Sequence, residues 1–166
     1  MDSLCDKVMI KLFKICLLVI ILPLFICNTK SDKINNKEIN TYSFNQLDSL
    51  QKVDSRKVFI FVYADWCKYC LFMEDKTFKD NKVVDKLNKE YYFITLNTEY
   101  KEDITYNKHT FKFKYTGINI GIHELVEELV KINNQINYPS ICVLDKNNII
   151  FNHCGYLKPK DILLIL

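Results

Sequence analysis

The chain has 166 residues, 49% of them hydrophobic and 26% charged, which is a globular composition with room for one domain and not for a second independent core. Its 23 basic and 20 acidic side chains leave a formal charge of only +3, and the lysines are interspersed with acids, so no basic face of the kind that binds nucleic acid is in view. Seven cysteines, at 5, 16, 27, 67, 70, 142 and 154, are too few and too unevenly placed for a small disulfide framework.

At the N-terminus, Lys7, Lys11 and Lys14 precede an apolar run from Ile15 to Cys27. This is the order of charge and hydrophobicity in an export signal. As a helix the run reaches about 20 Å of the roughly 30 Å hydrocarbon layer, so a signal fits better than a full span. Cys27 closes the run and a polar stretch follows, which resembles a bacterial lipoprotein signal. Leu24 suits the start of a lipobox, whereas Ile26 is bulky where a small residue normally precedes the cysteine. Lipidation of Cys27, ordinary cleavage and an uncleaved anchor all stay open. The expectation is an exported chain, in the periplasm or cell envelope, held to the membrane through residues 1–27 unless ordinary cleavage releases it.

Residues 28–41 read as a polar tether, and the folded domain as 42–166. Phe44, Leu47 and Leu50 fall at three-residue steps, predicting a short amphipathic helix with Ser43 as N-cap. The continuous apolar run at 57–63 predicts a central strand covered on both faces. Residues 70–90 predict helix with a break around 79–82, and 91–98 the next strand, so that a parallel βαβ unit is expected.

Residues 99–121 break this alternation as an insert. One hairpin is predicted across 104–115, turning at Asn107–His109, with Phe111, Phe113 and Tyr115 on an apolar face and Lys112 and Lys114 on a solvated one. Residues 116–121 read as a loop. An amphipathic helix is predicted over 122–132, with His123 a helix-start or packing residue. Two short strands around the polar turn 145–148 and a brief apolar helix close the chain.

The pair Cys67 and Cys70 is the one cysteine spacing with chemistry in it. At a strand-to-helix junction Cys67 meets unpaired N–H groups and the helix dipole, which favour a thiolate. Cys70, one turn on, can attack a mixed disulfide formed on Cys67, so the pair can pass two electrons. Half of a zinc site is the rival reading. It needs two more ligands from Cys142, Cys154, His109, His123 or His153, of which only His153 and Cys154 are closely spaced, and those two point to opposite faces of a strand. A permanent staple closing so small a loop adds little stability. No metal is expected.

The segments FIFVYADWCKYC, YPSICVLD and CGYLKPKDIL resemble the active-site strand, cis-proline segment and last strand and helix of the thioredoxin superfamily. ADWCKYCLFMEDKTFKDNKVVDKL is similar, more narrowly, to the C-terminal thioredoxin-like domain of the DsbD family. The resemblance covers about residues 42–166. It implies an α/β thioredoxin-like fold, with a mixed central sheet flanked by helices and an inserted hairpin and helix before the cis-proline. It implies that Tyr138–Pro139 is a cis peptide facing the cysteines, and that Trp66, Tyr138 and Pro139 hold a partner segment.

Thioredoxins bury a carboxylate on the strand six residues before the first cysteine. Here that position is Phe61, and Glu74, on the helical face of Cys67 and Cys70, is the candidate proton relay. The implied activity is thiol–disulfide oxidoreduction through Cys67 and Cys70, with no cofactor beyond that redox-active disulfide. Its partners would be protein thiols and disulfides of the cell envelope and an electron donor or acceptor not named by the sequence. A membrane-tethered binding module on the same scaffold is the alternative. Cys142 and Cys154 are predicted out of register with each other, and unbonded, unless a bulge intervenes.

Overall fold

A computed structural model describes residues 37–166 apart from Asn134. The export segment and Cys27 lie outside these residues. The run at 57–63 forms β1 (Lys57–Tyr63), with every residue from Val58 to Val62 buried. β2 (Tyr91–Asn97) pairs with it in parallel, from Lys57 opposite Tyr91 to Tyr63 opposite Asn97. β7 (Ser140–Asp145) lies antiparallel on the other side of β1, and β8 (Asn148–Cys154) antiparallel to β7. The sheet order is therefore β2-β1-β7-β8, a mixed sheet with β2 and β8 at its edges.

Because successive strand residues face opposite ways, β1 divides the core in two. Val58, Ile60 and Val62 pack with α1 (Phe44–Val53) and α4 (Glu124–Val130) on one face. Phe59 and Phe61 pack on the other, against α2 (Lys68–Phe72), its continuation Met73–Thr77, α3 (Asn81–Glu90) and α5 (Pro159–Ile165). Ser43 occupies the N-cap position of α1 as predicted, and Gln46 Oε1 reaches back to accept from its backbone N–H at 2.9 Å. Asp80 restarts the chain as α3 by accepting from the N–H groups of Lys82 and Val83, which is the break anticipated near 79–82.

The folded unit begins earlier than Tyr42. Thr41 makes a parallel bridge to Phe93, Asn40 N–H donates to Asn88 Oδ1 at 2.8 Å, and Lys37 pairs with Asp85 at 2.7 Å. Residues 37–41 have no periodic apolar face, yet their backbone and polar side chains anchor them to α3 and to the edge strand β2.

The insert also differs from the expectation of one hairpin and a loop. β3 (Ile104–Tyr106) and β4 (His109–Phe111) form a tight hairpin through Asn107 and Lys108, both at positive φ. β5 (Phe113–Gly117) and β6 (Ile120–His123) form a second. The segment read as loop because of its glycines, but Gly121 is a strand residue at a point of close approach. A Cβ there would press on the Lys114 carbonyl and come within 2.7 Å of the Phe113 ring. Tyr115 meets Phe113 edge to face at 4.9 Å, as the alternation predicts, but lies exposed and uncovered. α4 starts at Glu124 instead of 122, since Ile122 and His123 are still paired to β5. His123 is the N-cap of α4.

A bulge between Val143 and Leu144 resets the β7–β8 register. Cys142 faces Asn152 and Cys154 faces Ser140, which puts both cysteines on the same face of the sheet two positions apart. They are not bonded: Cys142 is a buried thiol and Cys154 an exposed one. At the C-terminus, Ile162 is fully buried and Tyr91 Oη donates to the Leu166 carbonyl at 2.8 Å, whereas Leu164 points outward. Among the described residues no helix is long and apolar enough to cross a membrane.

Candidate redox site

β1 ends at Tyr63, and the chain turns through Ala64, Asp65 and Trp66 into α2. Cys67 N–H donates to the Ala64 carbonyl at 2.9 Å, fixing Cys67 in an extended conformation at the N-cap. Its Sγ accepts from the Cys70 N–H at 3.1 Å, so the sulfur itself caps the helix. One turn later Cys70 comes within 5.2 Å Cα to Cα, and the two are joined as a disulfide. Both are buried among Phe59, Phe61 and Met73, so the approach to the sulfurs is set by what stands around them.

Trp66 and Tyr138 stand there. Trp66 is 67% exposed and meets Tyr138 edge to face with centroids 5.7 Å apart. Tyr138–Pro139 is a cis peptide. Its loop is held from three sides: Tyr138 Oη and Thr98 Oγ1 are 2.5 Å apart, Ser140 Oγ donates to the Asn137 carbonyl at 2.6 Å, and Gly155 N–H donates to the Pro139 carbonyl at 2.8 Å. Gly155 has φ +114°, a conformation that favours glycine. Burial is the main cause that raises the phenol pKa of Tyr138, so Tyr138 is a neutral donor or acceptor at ordinary pH.

The strand position of the family's carboxylate is filled by hydrocarbon. Phe61 is fully buried, stacked on Tyr63 at 5.8 Å and edge-on to Phe78 at 4.9 Å. Glu74 lies one turn beyond Cys70, in the stretch Met73–Thr77 where the helix widens and Phe78 N–H donates to the Met73 carbonyl. Such π-type turns recur at functional sites. Glu74 lines a cavity together with Phe61 and Phe93. Partial desolvation, and secondarily the charge of Asp65, hold the Glu74 pKa above the usual carboxylate range.

The residues weighed as zinc ligands are not assembled. Cys142 is buried on the far face of the sheet, where burial pushes its thiol up to about 12. His123 is engaged as a helix cap, and His109 lies on the insert. Among the described residues no group of three or more His, Cys, Asp or Glu could hold a metal ion.

Three contributors escape a linear reading. Thr98, which positions Tyr138, follows the carboxyl end of β2, where sites in α/β sheets collect. Tyr69 and Tyr156, 6.4 Å apart, extend the aromatic surround between α2 and the residues after β8. Their distance in sequence hides them; only the fold joins them.

A family model described as a thioredoxin-like domain matches residues 44–166. Among solved structures, the chain is similar to a thioredoxin from Thermus thermophilus, at 14% identity and TM-score 0.53, covering 77% of this chain and 84% of that one. It is also similar to a DsbH oxidoreductase, at 12% identity and TM-score 0.50, covering 76% and 80%. No curated protein matches the sequence. The fold and the superfamily follow from these likenesses, whereas the narrower likeness to DsbD rests on motif residues alone.

Proposed function

The chain belongs to the thioredoxin-like domain family, and from that premise we propose that it is an exported thiol–disulfide oxidoreductase that reduces or exchanges disulfides of cell-envelope proteins. The observation that carries the reading is the Cys67–Cys70 disulfide at a helix start, beside the cis Tyr138–Pro139 peptide and the Trp66 ring.

In the reduced form the Cys67 thiolate attacks one sulfur of a partner disulfide. A Cys67–partner bond forms, the partner's S–S bond breaks, and its other sulfur leaves as a thiolate that takes a proton. The Cys70 thiolate then attacks Cys67 Sγ, the internal disulfide re-forms, and the partner leaves with its second thiol. Two electrons have passed to the partner, and a dithiol donor must return them. Glu74 is the base that receives the Cys70 proton in this reading, supported by its place one turn along the helix and its raised pKa. Export rests on residues 1–27, and Cys27 is the lipidation site if that signal is of the lipoprotein kind.

The exposed Tyr115, Ile118 and Ile120 of the insert favour one other reading, a tethered binding module without turnover. A Cys70→Ser chain separates the two. It should accumulate mixed disulfides with envelope proteins on Cys67, visible on non-reducing gels. No adducts, together with full biological activity of Cys67→Ser, would reject the enzyme. Fractionation and mass of the N-terminus test export and lipidation independently.

A further inference from the structure

β2 is an edge strand, and its own chain covers only part of that edge. Tyr42 N–H donates to the Phe93 carbonyl at 2.9 Å, after which the chain turns away into α1. Thr98 N–H donates inward to Tyr63. Backbone groups alternate sides along a strand, so Phe93 and Thr95 direct theirs outward. Among the described residues nothing pairs with Thr95 on that side.

Two cavities flank Thr95, one on each face of the sheet. The first, about 350 Å³, is floored by Ile94, Leu96 and Ile104 and rimmed by Tyr42 and Tyr100, and it wraps over the end of β2 to Tyr63 and Asn97 on the other face. The second, about 230 Å³, is lined by Ile39, Phe61, Phe78 and Phe93. Thr95 lines both. A strand laid on this edge would send successive side chains to opposite faces, one into each cavity.

We propose that the β2 edge at Thr95 is a docking site for an extended polypeptide segment of a protein partner, which adds a backbone rung beyond the Thr41 bridge and places two adjacent apolar side chains in the two flanking cavities. Strand addition of this kind takes affinity from the main chain and specificity from the alternating pockets. The occupant is a polypeptide because the edge offers an N–H and a C=O at strand spacing between the cavities, which a small apolar molecule cannot use. Thr98, three residues on, holds Tyr138 beside the disulfide, so a segment docked here lies on the same end of the sheet as the cysteines. The inference rests on the reading that partners are proteins, and deepens it by assigning a second point of contact.

The test uses the full chain carrying Cys67→Ser and Cys70→Ser, in detergent, so that binding is read without thiol chemistry. Its probe is an acetylated, amidated hexapeptide with leucine and phenylalanine adjacent at the centre and serine elsewhere. The Thr95 amide should become protected from hydrogen exchange in proportion to occupancy. N-methylation of the peptide's central phenylalanine removes the rung and should weaken binding about three- to tenfold, the net worth of one hydrogen bond. Asn45→Trp, an exposed position on the rim of the larger cavity, should weaken it as well. Absence of Thr95 protection, indifference to N-methylation, or protection that appears without peptide as the chain self-associates would each overturn the proposal. Insulin reduction by the unmodified chain, measured separately, reports on the redox reading whatever the peptide does.

Discussion

The indole of Trp66 meets the ring of Tyr138 edge to face, with centroids 5.7 Å apart and planes at 83°, joining the turn before the nucleophile to the cis-proline loop. Both are held from behind, Trp66 by the turn closed between Ala64 and Cys67, Tyr138 by Thr98. An aromatic pair of this geometry contributes about 0.5–1.5 kcal/mol beyond its buried area. Trp66→Ala should therefore slow exchange with protein disulfides about two- to tenfold. Reduction of a small aromatic disulfide, which needs no docking surface, should be nearly unchanged, and Trp66→Phe should restore most of the loss. An equal loss with both substrates would place Trp66 in the chemistry instead.

Glu74 carries a raised pKa, caused first by desolvation and then by Asp65. The folded state thus binds its proton more tightly than the unfolded one. Its protonated form adds stability that is full below the ordinary value of 4.5 and lost as pH rises through the raised folded value. Glu74→Gln removes this dependence, so the mutant's denaturation midpoint should gain on the wild type as pH rises from 4 toward neutrality. If Glu74 also accepts the Cys70 proton, the same variant slows resolution of the mixed disulfide and shifts the pH profile of exchange, measured by stopped-flow fluorescence of Trp66. A shifted stability curve with an unmoved exchange profile would leave Glu74 a helix residue and nothing more.

Much of this was legible in the chain because local chemistry and global fold agree. β1 is a continuous apolar run because both of its faces are covered, and Cys67 follows it at a helix start. The insert was harder. Gly117 and Gly121 read as loop by composition, but they serve strands that pack too closely for a side chain at Gly121. The β7–β8 register is not legible because a bulge has no sequence signature in DKNNII, and that single extra residue places Cys154 opposite Ser140. Residues 37–41 looked like tether because polar contacts such as Lys37 with Asp85 leave no periodicity. The cis bond at Tyr138 came from the family resemblance, not from its own spacing.

Cys142 and Cys154 should behave as opposites despite sharing a sheet face. Burial holds the Cys142 thiol up to about 12, so thiolate is scarce at neutral pH as well as inaccessible. Cys154 is exposed at the end of β8. With the Cys67–Cys70 bond kept oxidised, iodoacetamide at pH 8 should label Cys154 within minutes and Cys142 only at the rate of unfolding. Site assignment by peptide mass decides it, and comparable native rates at the two would contradict the packing of β7.

His123 offers the clearest pH test of the insert. Its Nδ1 accepts from the Leu125 N–H at 3.2 Å, which leaves the proton on Nε2 to donate to the Glu102 carbonyl at 3.1 Å. One neutral ring therefore caps α4 and ties it to the segment before β3. Burial lowers the His123 pKa, against the smaller raising effects of the Glu102 hydrogen bond, Glu124 and Asp103, with the Tyr100 ring 6.2 Å away. A depressed histidine pKa means that the unfolded chain binds more protons once pH falls below the ordinary 6.5, so stability is lost as pH falls from there through the folded value. A protonated Nδ1 would also turn its N–H toward the Leu125 N–H and destroy the cap. His123→Asn keeps a capping acceptor without the titration. Its denaturation midpoint should stay flatter than the wild type's between pH 7 and pH 5, while His123→Ala should lose about 1 kcal/mol at pH 7 through loss of the cap. Parallel pH curves for wild type and His123→Asn would show that the ring is already free to protonate in the folded chain, and that Leu125 is capped by something else.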